Sequence, residues 1–422
     1  MTAQAATAAT QVATLDAGPL RKVVAVLCFT EVVSWGVLFY AFPVLVFTIA
    51  TVEDWPLTNL MAAFTLAQVV GAAAGVWVGH RIDRYGPRAV MTGGSALGVL
   101  SVIALATAPD QPAFFGAFVL VGLAMSATLY APAFTAITHW AGPGRRVRAL
   151  TAVTLVAGFA ATVFAPLAAL LLHHMSWRNT YLVLALVLAT TGWAHWRGLS
   201  EPWEHHDNSS TADDNLTGSG EPDRPAPEPT VNQTWSLVRE PAYVTLVLAF
   251  TLGGFCVYAV VVNLIPMLTS GHLTTQQAAI ALGVGGAGQV AGRFFYGPVL
   301  TRLPVRARTV TVLGAASVTT LALAYSSGSM LVACVAAFAA GTARGVFTLL
   351  QATAVPDRWG TVAYGARSSV LSGSVMAAAA SAPWLGALLA ARVDGYTGAF
   401  VLLAAGAALS MLLVPRTPAH PA

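Results

Sequence analysis

Twelve apolar segments, each long enough to cross a bilayer, recur along the 422 residues of this chain. A helix needs about 20 mostly apolar residues to cross the hydrocarbon core of a membrane. Charged residues make up only 9% of the chain, whereas soluble domains carry about 25%. The pattern predicts an all-α integral membrane protein with twelve transmembrane helices. Numbered below as spans 1 to 12, the segments cover residues 22–49, 57–79, 89–108, 113–139, 149–172, 178–196, 242–269, 275–300, 309–327, 329–355, 365–391 and 396–415.

The distribution of basic residues indicates an orientation. Because the number of spans is even, both termini lie on one side of the membrane. Seventeen Arg and Lys residues fall on that side, and two, Arg178 and Arg392, fall on the other. Cytoplasmic loops of membrane proteins carry an excess of Lys and Arg. We therefore expect a multi-pass protein of the cell inner (cytoplasmic) membrane with both termini in the cytoplasm.

One long polar stretch divides the spans into two sets of six. Residues 197–241 are rich in Ser, Asp, Glu, Pro and Gly, which predicts a flexible cytoplasmic linker. The predicted units are a disordered tail at 1–21, an N-terminal six-helix bundle at 22–196, this linker, a C-terminal six-helix bundle at 242–415 and a tail at 416–422.

The two halves repeat the same landmarks at an offset of 217 to 219 residues. The matched pairs are Gly79 and Gly297, Arg84 and Arg302, Arg88 and Arg306, Gly122 and Gly341, Trp140 and Trp359, and Pro166 and Pro383. Such a duplication predicts two pseudo-symmetric bundles with a solute site between them near the midplane, exposed to each side in turn by rocking of the halves.

A short motif joins spans 2 and 3. Its residues are Gly79, Asp83, Arg84, Gly86 and Arg88, within the sequence GHRIDRYGPR. This resembles the signature of the major facilitator superfamily, Gly-x-x-x-Asp-Arg/Lys-x-Gly-x-Arg/Lys, and the resemblance implies a gating role for these five residues. Glycines permit a tight turn and a close approach of helices, and Asp83 can hold the cytoplasmic face shut through charge-assisted hydrogen bonds.

Span 8 looks like the corresponding segment of monocarboxylate and oxalate transporters and their bacterial relatives. It reads GQVAGR from Gly288 to Arg293, and the resemblance maps the substrate-binding arginine of that branch onto Arg293. Gln289 departs from the pattern, because the proton-coupled members tend to have Asp there. The resemblance implies a secondary transporter that moves a small, monocarboxylate-like organic anion.

Three ionisable side chains, Glu31, Arg293 and Arg344, sit well inside apolar segments. A charge at the bilayer centre costs about 2.5–3.5 kcal/mol on insertion scales, so such residues usually face a polar cavity or a partner. The planar fork of arginine suits a carboxylate, which predicts substrate binding by both arginines. Two other roles stay open, namely snorkelling of Arg293 toward the inner surface and helix-to-helix hydrogen bonding by Arg344.

Glu31 is the candidate for proton coupling, because a desolvated carboxylate takes up a proton readily. A fixed counter-ion to an arginine is the alternative. In the superfamily, spans 1, 4, 7 and 10 line the cavity and span 8 flanks it, so we expect Glu31 to face both arginines across the interface between the halves. Further substrate-binding candidates are Tyr40, Tyr130, Tyr258, Asn263 and Gln289.

An exporter is the runner-up function. Gly158 and the pair Ala165-Pro166 on span 5 partly match an exporter signature, so a multidrug or natural-product exporter acting as a proton antiporter stays open. A sensor would need an output domain, and an enzyme would need a nucleotide loop, a metal cluster or a nucleophile arrangement. The sequence shows none of these. We therefore expect no enzymatic activity, no cofactor and no metal, and a monomer whose partners are its solute, protons and lipid, without nucleic acid.

Overall fold

The computed structural model describes residues 15–203, 239–296, 302–359 and 364–414. Ten helices in these ranges are long and apolar enough to cross a membrane. Two more helices, Trp177–Gly198 and Thr275–Phe295, complete the twelve predicted spans. The described residues contain no β-strand, so the all-α membrane fold is confirmed.

The first half contains spans 1 to 6. Its helices are Ala17–Trp35, a π-helical turn Gly36–Tyr40, Ala41–Glu53, Leu57–Thr107, Gln111–Thr128, Tyr130–Ala157, Ala160–His174 and Trp177–Gly198. The second half contains spans 7 to 12. Its helices are Pro241–Ser270, Thr275–Phe295, Val305–Ala324, Met330–Thr353, the short Pro356–Trp359, Tyr364–Arg392 and Gly395–Leu412. The side on which span 6 ends and span 7 begins is called the linker side below, and the opposite side is called the far side.

Two predicted boundaries need correction. The helix of span 1 begins at Ala17, so residues 17–21 belong to it and not to a tail. The preceding residue Leu15 is held by hydrogen bonds to Trp140 and Arg145. The predicted linker also begins later, because Leu199 is buried against the first half. Residues 1–14, 204–238 and 415–422, which include the remaining tails and most of the linker, lie outside the described residues.

The motif between spans 2 and 3 turns at one glycine only. Gly86 has φ 74° and ψ 165°. Together with the following Pro87, it kinks the long helix Leu57–Thr107 and divides it into two helical parts. A positive φ favours glycine because it has no Cβ. Gly79, also expected at the turn, lies inside the helix, and no atom lies within 4 Å of the position of an added Cβ. The turn therefore depends on Gly86 alone.

Contacts between the halves on the far side follow the internal repeat. The backbone N–H of Trp384 donates to Thr65 Oγ1 at 3.1 Å, and the hydroxyl of Thr162 donates to the carbonyl of Gly283 at 2.8 Å. Thr65 and Gly283 lie 218 residues apart, within the offset of the repeat, and Thr162 and Trp384 lie 222 residues apart, just outside it. The first contact joins spans 2 and 11, and the second joins spans 5 and 8.

Spans 2 and 11 lose this pairing toward the linker side. An added Cβ at Gly75, Gly79 or Gly373 would have no neighbour within 4 Å. No described residue therefore packs closely against these three glycines on the linker side, while the same two spans touch on the far side.

Candidate functional site

Arg344 on span 10 bridges the two halves. Its Nη2 donates to the hydroxyl of Tyr40 on span 1 at 2.8 Å. Tyr40 is the last residue of the π-helical turn Gly36–Tyr40, and such turns are frequent at functional sites because they redirect the side chains that follow. The ring of Tyr258 on span 7 lies 5.7 Å below the guanidinium. Arg344 is therefore held between one tyrosine of each half.

Arg293 on span 8 makes the second bridge. Its Nη1 donates to the backbone carbonyl of Thr154 on span 5 at 2.6 Å. Thr154 lies in the last turn before the helix breaks at Gly158, whose N–H shares the same carbonyl at 3.2 Å. Arg293 thus reaches across to the first half instead of snorkelling along its own helix.

Close packing of spans 8 and 10 brings the two arginines together. A Cβ at Gly292 would overlap the carbonyl oxygen of Thr342, and a Cβ at Gly345 would overlap that of Gln289. Small residues at such positions let helix backbones approach within the membrane. Arg293 follows Gly292 and Arg344 precedes Gly345 in sequence. The glycine faces therefore place the backbones of Arg293 and Arg344 side by side at similar depth.

Tyr130 on span 4 connects the charged residues. Its hydroxyl interacts electrostatically with Arg293, Arg344, Tyr40 and Glu31. Its ring lies 5.1 Å from the ring of Trp35 and stacks on Phe134 at 5.2 Å. Sequence reasoning found Tyr130 but missed its ring contacts with Trp35 and Phe134, because Trp35 lies on a different span and the contact appears only in the folded structure.

Two of the predicted substrate-binding residues, Asn263 and Gln289, lie away from this cluster. Asn263 donates from Nδ2 to the carbonyl of Ala259 at 3.0 Å, and it packs against Gly386 on span 11. Gln289 is buried, with a side-chain oxygen that has no hydrogen-bond partner among the described residues. The structure thus gathers Tyr40, Tyr130, Tyr258, Arg293 and Arg344, places Gln289 beside span 10, and leaves Asn263 in the packing of spans 7 and 11.

Glu31 is fully buried and has neither arginine as a partner. Its side chain is 0% exposed, and both carboxyl oxygens lack a hydrogen bond within the described part of the chain. The indole of Trp35 approaches the carboxyl group, but its N–H is also without a well-aligned acceptor. Nine residues of helix, about 13 Å at 1.5 Å per residue, separate Glu31 from the Tyr40 hydroxyl that binds Arg344.

The gating motif packs against the start of the linker. The indole N–H of Trp203 donates to the carbonyl of Asp83 at 3.2 Å, and a Cβ at Gly86 would lie 3.0 Å from the Trp203 ring. Arg88 donates to the carbonyl of Trp196 at 2.9 Å and lies 4.1 Å over its ring, while Arg84 lies 5.5 Å over the ring of Tyr85. The carboxylate of Asp83 is exposed, and no hydrogen bond or ion pair of that carboxylate occurs among the described residues.

The second half has an ion-pair cluster on the linker side that sequence reasoning missed. Arg308 pairs with Asp357, Arg358 donates to the hydroxyl of Thr309 at 2.8 Å, and Arg367 pairs with Glu240 at 2.8 Å. Burial lowers the pKa of Arg358 to about 10, and the nearby Asp357 opposes that shift. These arginines had been counted only as evidence for orientation. Charged partners this far apart in sequence can be recognised only in the folded structure, where the ends of their helices lie close together.

Comparisons with known proteins agree with this architecture. Residues 24–366 match the family model described as the Major Facilitator Superfamily. No curated protein sequence matches the chain. A similar solved structure is a bacterial homolog of the human lysosomal transporter Spinster in an inward-facing and unoccupied conformation, with 12% identity, 95% of each chain covered and a TM-score of 0.67. At this identity the likeness shows the fold alone. Because the family model matches well over half of the residues, the chain belongs to the Major Facilitator Superfamily, whose members are transporters and not enzymes.

Proposed function

We propose that this protein is a secondary transporter that moves a small, monocarboxylate-like organic anion across the cytoplasmic membrane, coupled to protons. The family and fold support transport by alternating access. The solute and the coupling ion are inferred from the charges at the interface between the halves.

The proposal of an anionic solute rests on the hydrogen-bond partners of the two arginines. Arg344 donates to a phenol hydroxyl and Arg293 to a backbone carbonyl. Neither has a carboxylate partner among the described residues. A buried charge is costly unless it is paired, so two cations held by neutral oxygens favour an anion between the halves. The guanidinium fork supplies the paired donors that a carboxylate accepts.

Proton coupling rests on the setting of Glu31. A buried carboxyl group without a charged partner is more stable in its uncharged form, and the group ionises when water or a cation reaches it. Rocking of the halves changes the surroundings of Tyr130, which interacts with both Glu31 and the arginines. Glu31 would therefore gain and lose its proton in step with the exposure of the arginines, without contacting the solute.

We further propose that the linker side is the cytoplasmic side, from the excess of basic residues there. Single cysteines introduced at 200 or 80 should react with a membrane-impermeant reagent only in inside-out vesicles, and reaction in intact cells would reverse this orientation.

Counterflow in proteoliposomes tests the transport proposal. Vesicles holding the purified full-length protein would be preloaded with unlabelled lactate or pyruvate, and uptake of the labelled compound would be followed. We expect saturable exchange that small carboxylates inhibit and that neutral or cationic drugs do not. Exchange inhibited only by drugs would support the exporter instead. Two structural features favour the exporter: the helix break at Gly158 and the contact of Pro166 with Gly283 on span 8.

A further inference from the structure

A small apolar cavity lies beside Arg344, between spans 7 to 10 of the second half and span 5 of the first half. Its volume is about 30 Å³. The side chains that shape it include Val257, Val261, Leu264, Ala316 and Ala340, and Arg344 is its one charged lining residue. Two threonines also line it, and the hydroxyl of one of them, Thr319, donates to a carbonyl of its own helix at 2.7 Å.

The guanidinium of Arg344, a residue that lines this cavity, has N–H donors to spare. An arginine carries five N–H donors, and the described hydrogen bond of Arg344 uses Nη2 for Tyr40. Its Nε is shielded from solvent and has no hydrogen-bond partner in the described residues. A buried donor without a partner destabilises a protein, so this atom is the place where a ligand oxygen would be most favourable.

We infer that this cavity receives the alkyl group of the solute whose carboxylate binds Arg344, so that the protein selects short-chain aliphatic carboxylates. The inference rests on the proposed function and adds a specificity pocket to it. Arg293 is not among the residues that line the cavity, so the pocket assigns the two arginines different tasks. Arg344 positions the carboxylate above the alkyl group, and Arg293 remains on the side of span 5.

The size of the cavity limits the length of the alkyl group that it can accommodate. About 10–15 Å³ of such volume holds one water, and an apolar cavity of about 150 Å³ holds benzene. A space of about 30 Å³ therefore accommodates a short alkyl group but no aromatic ring. Each methylene that enters should strengthen binding about fourfold. A chain that is too long must displace Leu264 or Val261, and overfilled interiors are strained.

A homologous series of carboxylates tests the inference. Affinities of acetate, propionate, butyrate, hexanoate and octanoate would be measured by competition against labelled lactate on the purified full-length protein at one pH. We expect affinity to rise about fourfold per methylene, to reach a maximum at propionate or butyrate, and to fall for hexanoate and octanoate. Benzoate, measured in the same competition assay, should bind at least tenfold more weakly than butyrate.

Two variants change the cavity in opposite directions. Ala340→Leu fills it, so butyrate should bind at least tenfold more weakly while acetate is unchanged. Val261→Ala enlarges it, so the maximum should move to a longer chain. Ala315→Leu is the matched control, because Ala315 lies on the exposed face of span 9 and does not line the cavity.

The outcomes separate the two proposals. An affinity that rises steadily to octanoate, or that has the same maximum in Ala340→Leu and Val261→Ala as in the parent protein, overturns the pocket and leaves the anion transporter standing. Failure of every carboxylate to bind the parent protein overturns the proposed function and the pocket with it.

Discussion

Arg344 and Tyr40 form a 2.8 Å hydrogen bond that joins span 10 of the second half to the π-helical turn of span 1 in the first half. The two residues are 304 positions apart in sequence. The bond therefore joins the two halves directly in the described conformation.

Tyr40→Phe removes only the hydroxyl that Arg344 binds. A hydrogen bond to a charged group contributes about 1.5–3 kcal/mol, so the variant should shift the equilibrium away from the described state by about tenfold or more. Distances between spin labels on the linker-side ends of spans 2 and 11 would report this shift. Tyr181→Phe is the control, because the buried hydroxyl of Tyr181 has no partner in the described structure. Equal distance distributions in the two variants would show that the Arg344 contact does not favour this state.

Arg293→Lys and Arg344→Lys keep the charge and remove the planar fork. Since a charge-assisted hydrogen bond is worth about 1.5–3 kcal/mol, each variant should bind the carboxylate solute about ten- to a hundredfold more weakly. Competition binding at one pH measures this loss. Arg306→Lys, at an exposed position on the linker side, should bind normally. Normal binding by both interface variants would remove the case for an anionic solute.

Glu31→Gln imitates the protonated acid. It should preserve counterflow exchange of the solute, because Glu31 contacts neither arginine. It should abolish accumulation driven by a pH gradient, because the side chain can no longer release a proton. Both assays use the same proteoliposomes. Continued accumulation under the gradient would mean that the proton travels elsewhere or that the protein is a uniporter.

Asp83→Asn tests the gating motif. Because the carboxylate is exposed and has no described ion pair, the change should leave the melting temperature within about 2 °C, as for most surface substitutions. Transport should fall, since the closed linker side loses its latch, and cysteines on the inner faces of spans 2 and 11 should become more reactive. Unchanged transport with unchanged reactivity would reduce the motif to an ordinary basic loop.

Gly341→Ala tests the packing of spans 8 and 10. A Cβ at this position would overlap the backbone carbonyl of Gly285, and a backbone atom cannot move aside as a flexible side chain does. We expect the variant to lose several degrees of thermal stability and to lose solute binding, because the two arginines no longer share one depth. Gly116→Ala on span 4, where an added Cβ meets nothing within 4 Å, should be neutral or slightly stabilising. A stable Gly341→Ala protein with normal affinity would refute this account.

Hydropathy alone predicted the spans well. A segment within the bilayer must form its backbone hydrogen bonds internally, as a helix does, and must present an apolar surface to the lipid. The predicted span 7, 242–269, differs from the helix Pro241–Ser270 by one residue at each end. The predicted span 8 extends to 300, whereas the described helix ends at Phe295 and residues 297–301 lie outside the described part. Composition has no sharp signal where a helix leaves the membrane, so such ends were less certain.

The amino-acid sequence determined which residues are charged within the membrane, and hence that Glu31, Arg293 and Arg344 need a polar partner or a cavity. Only the tertiary structure decided which partner each one has. Arg344 meets Tyr40 at the π-helical turn of span 1, and Arg293 meets Thr154 because Gly158 and Gly286 let spans 5 and 8 pack closely. Glu31 has neither arginine as a partner, and nine residues of helix separate it from Tyr40. Depth and facing direction depend on how twelve helices pack together, and no single helix carries that information.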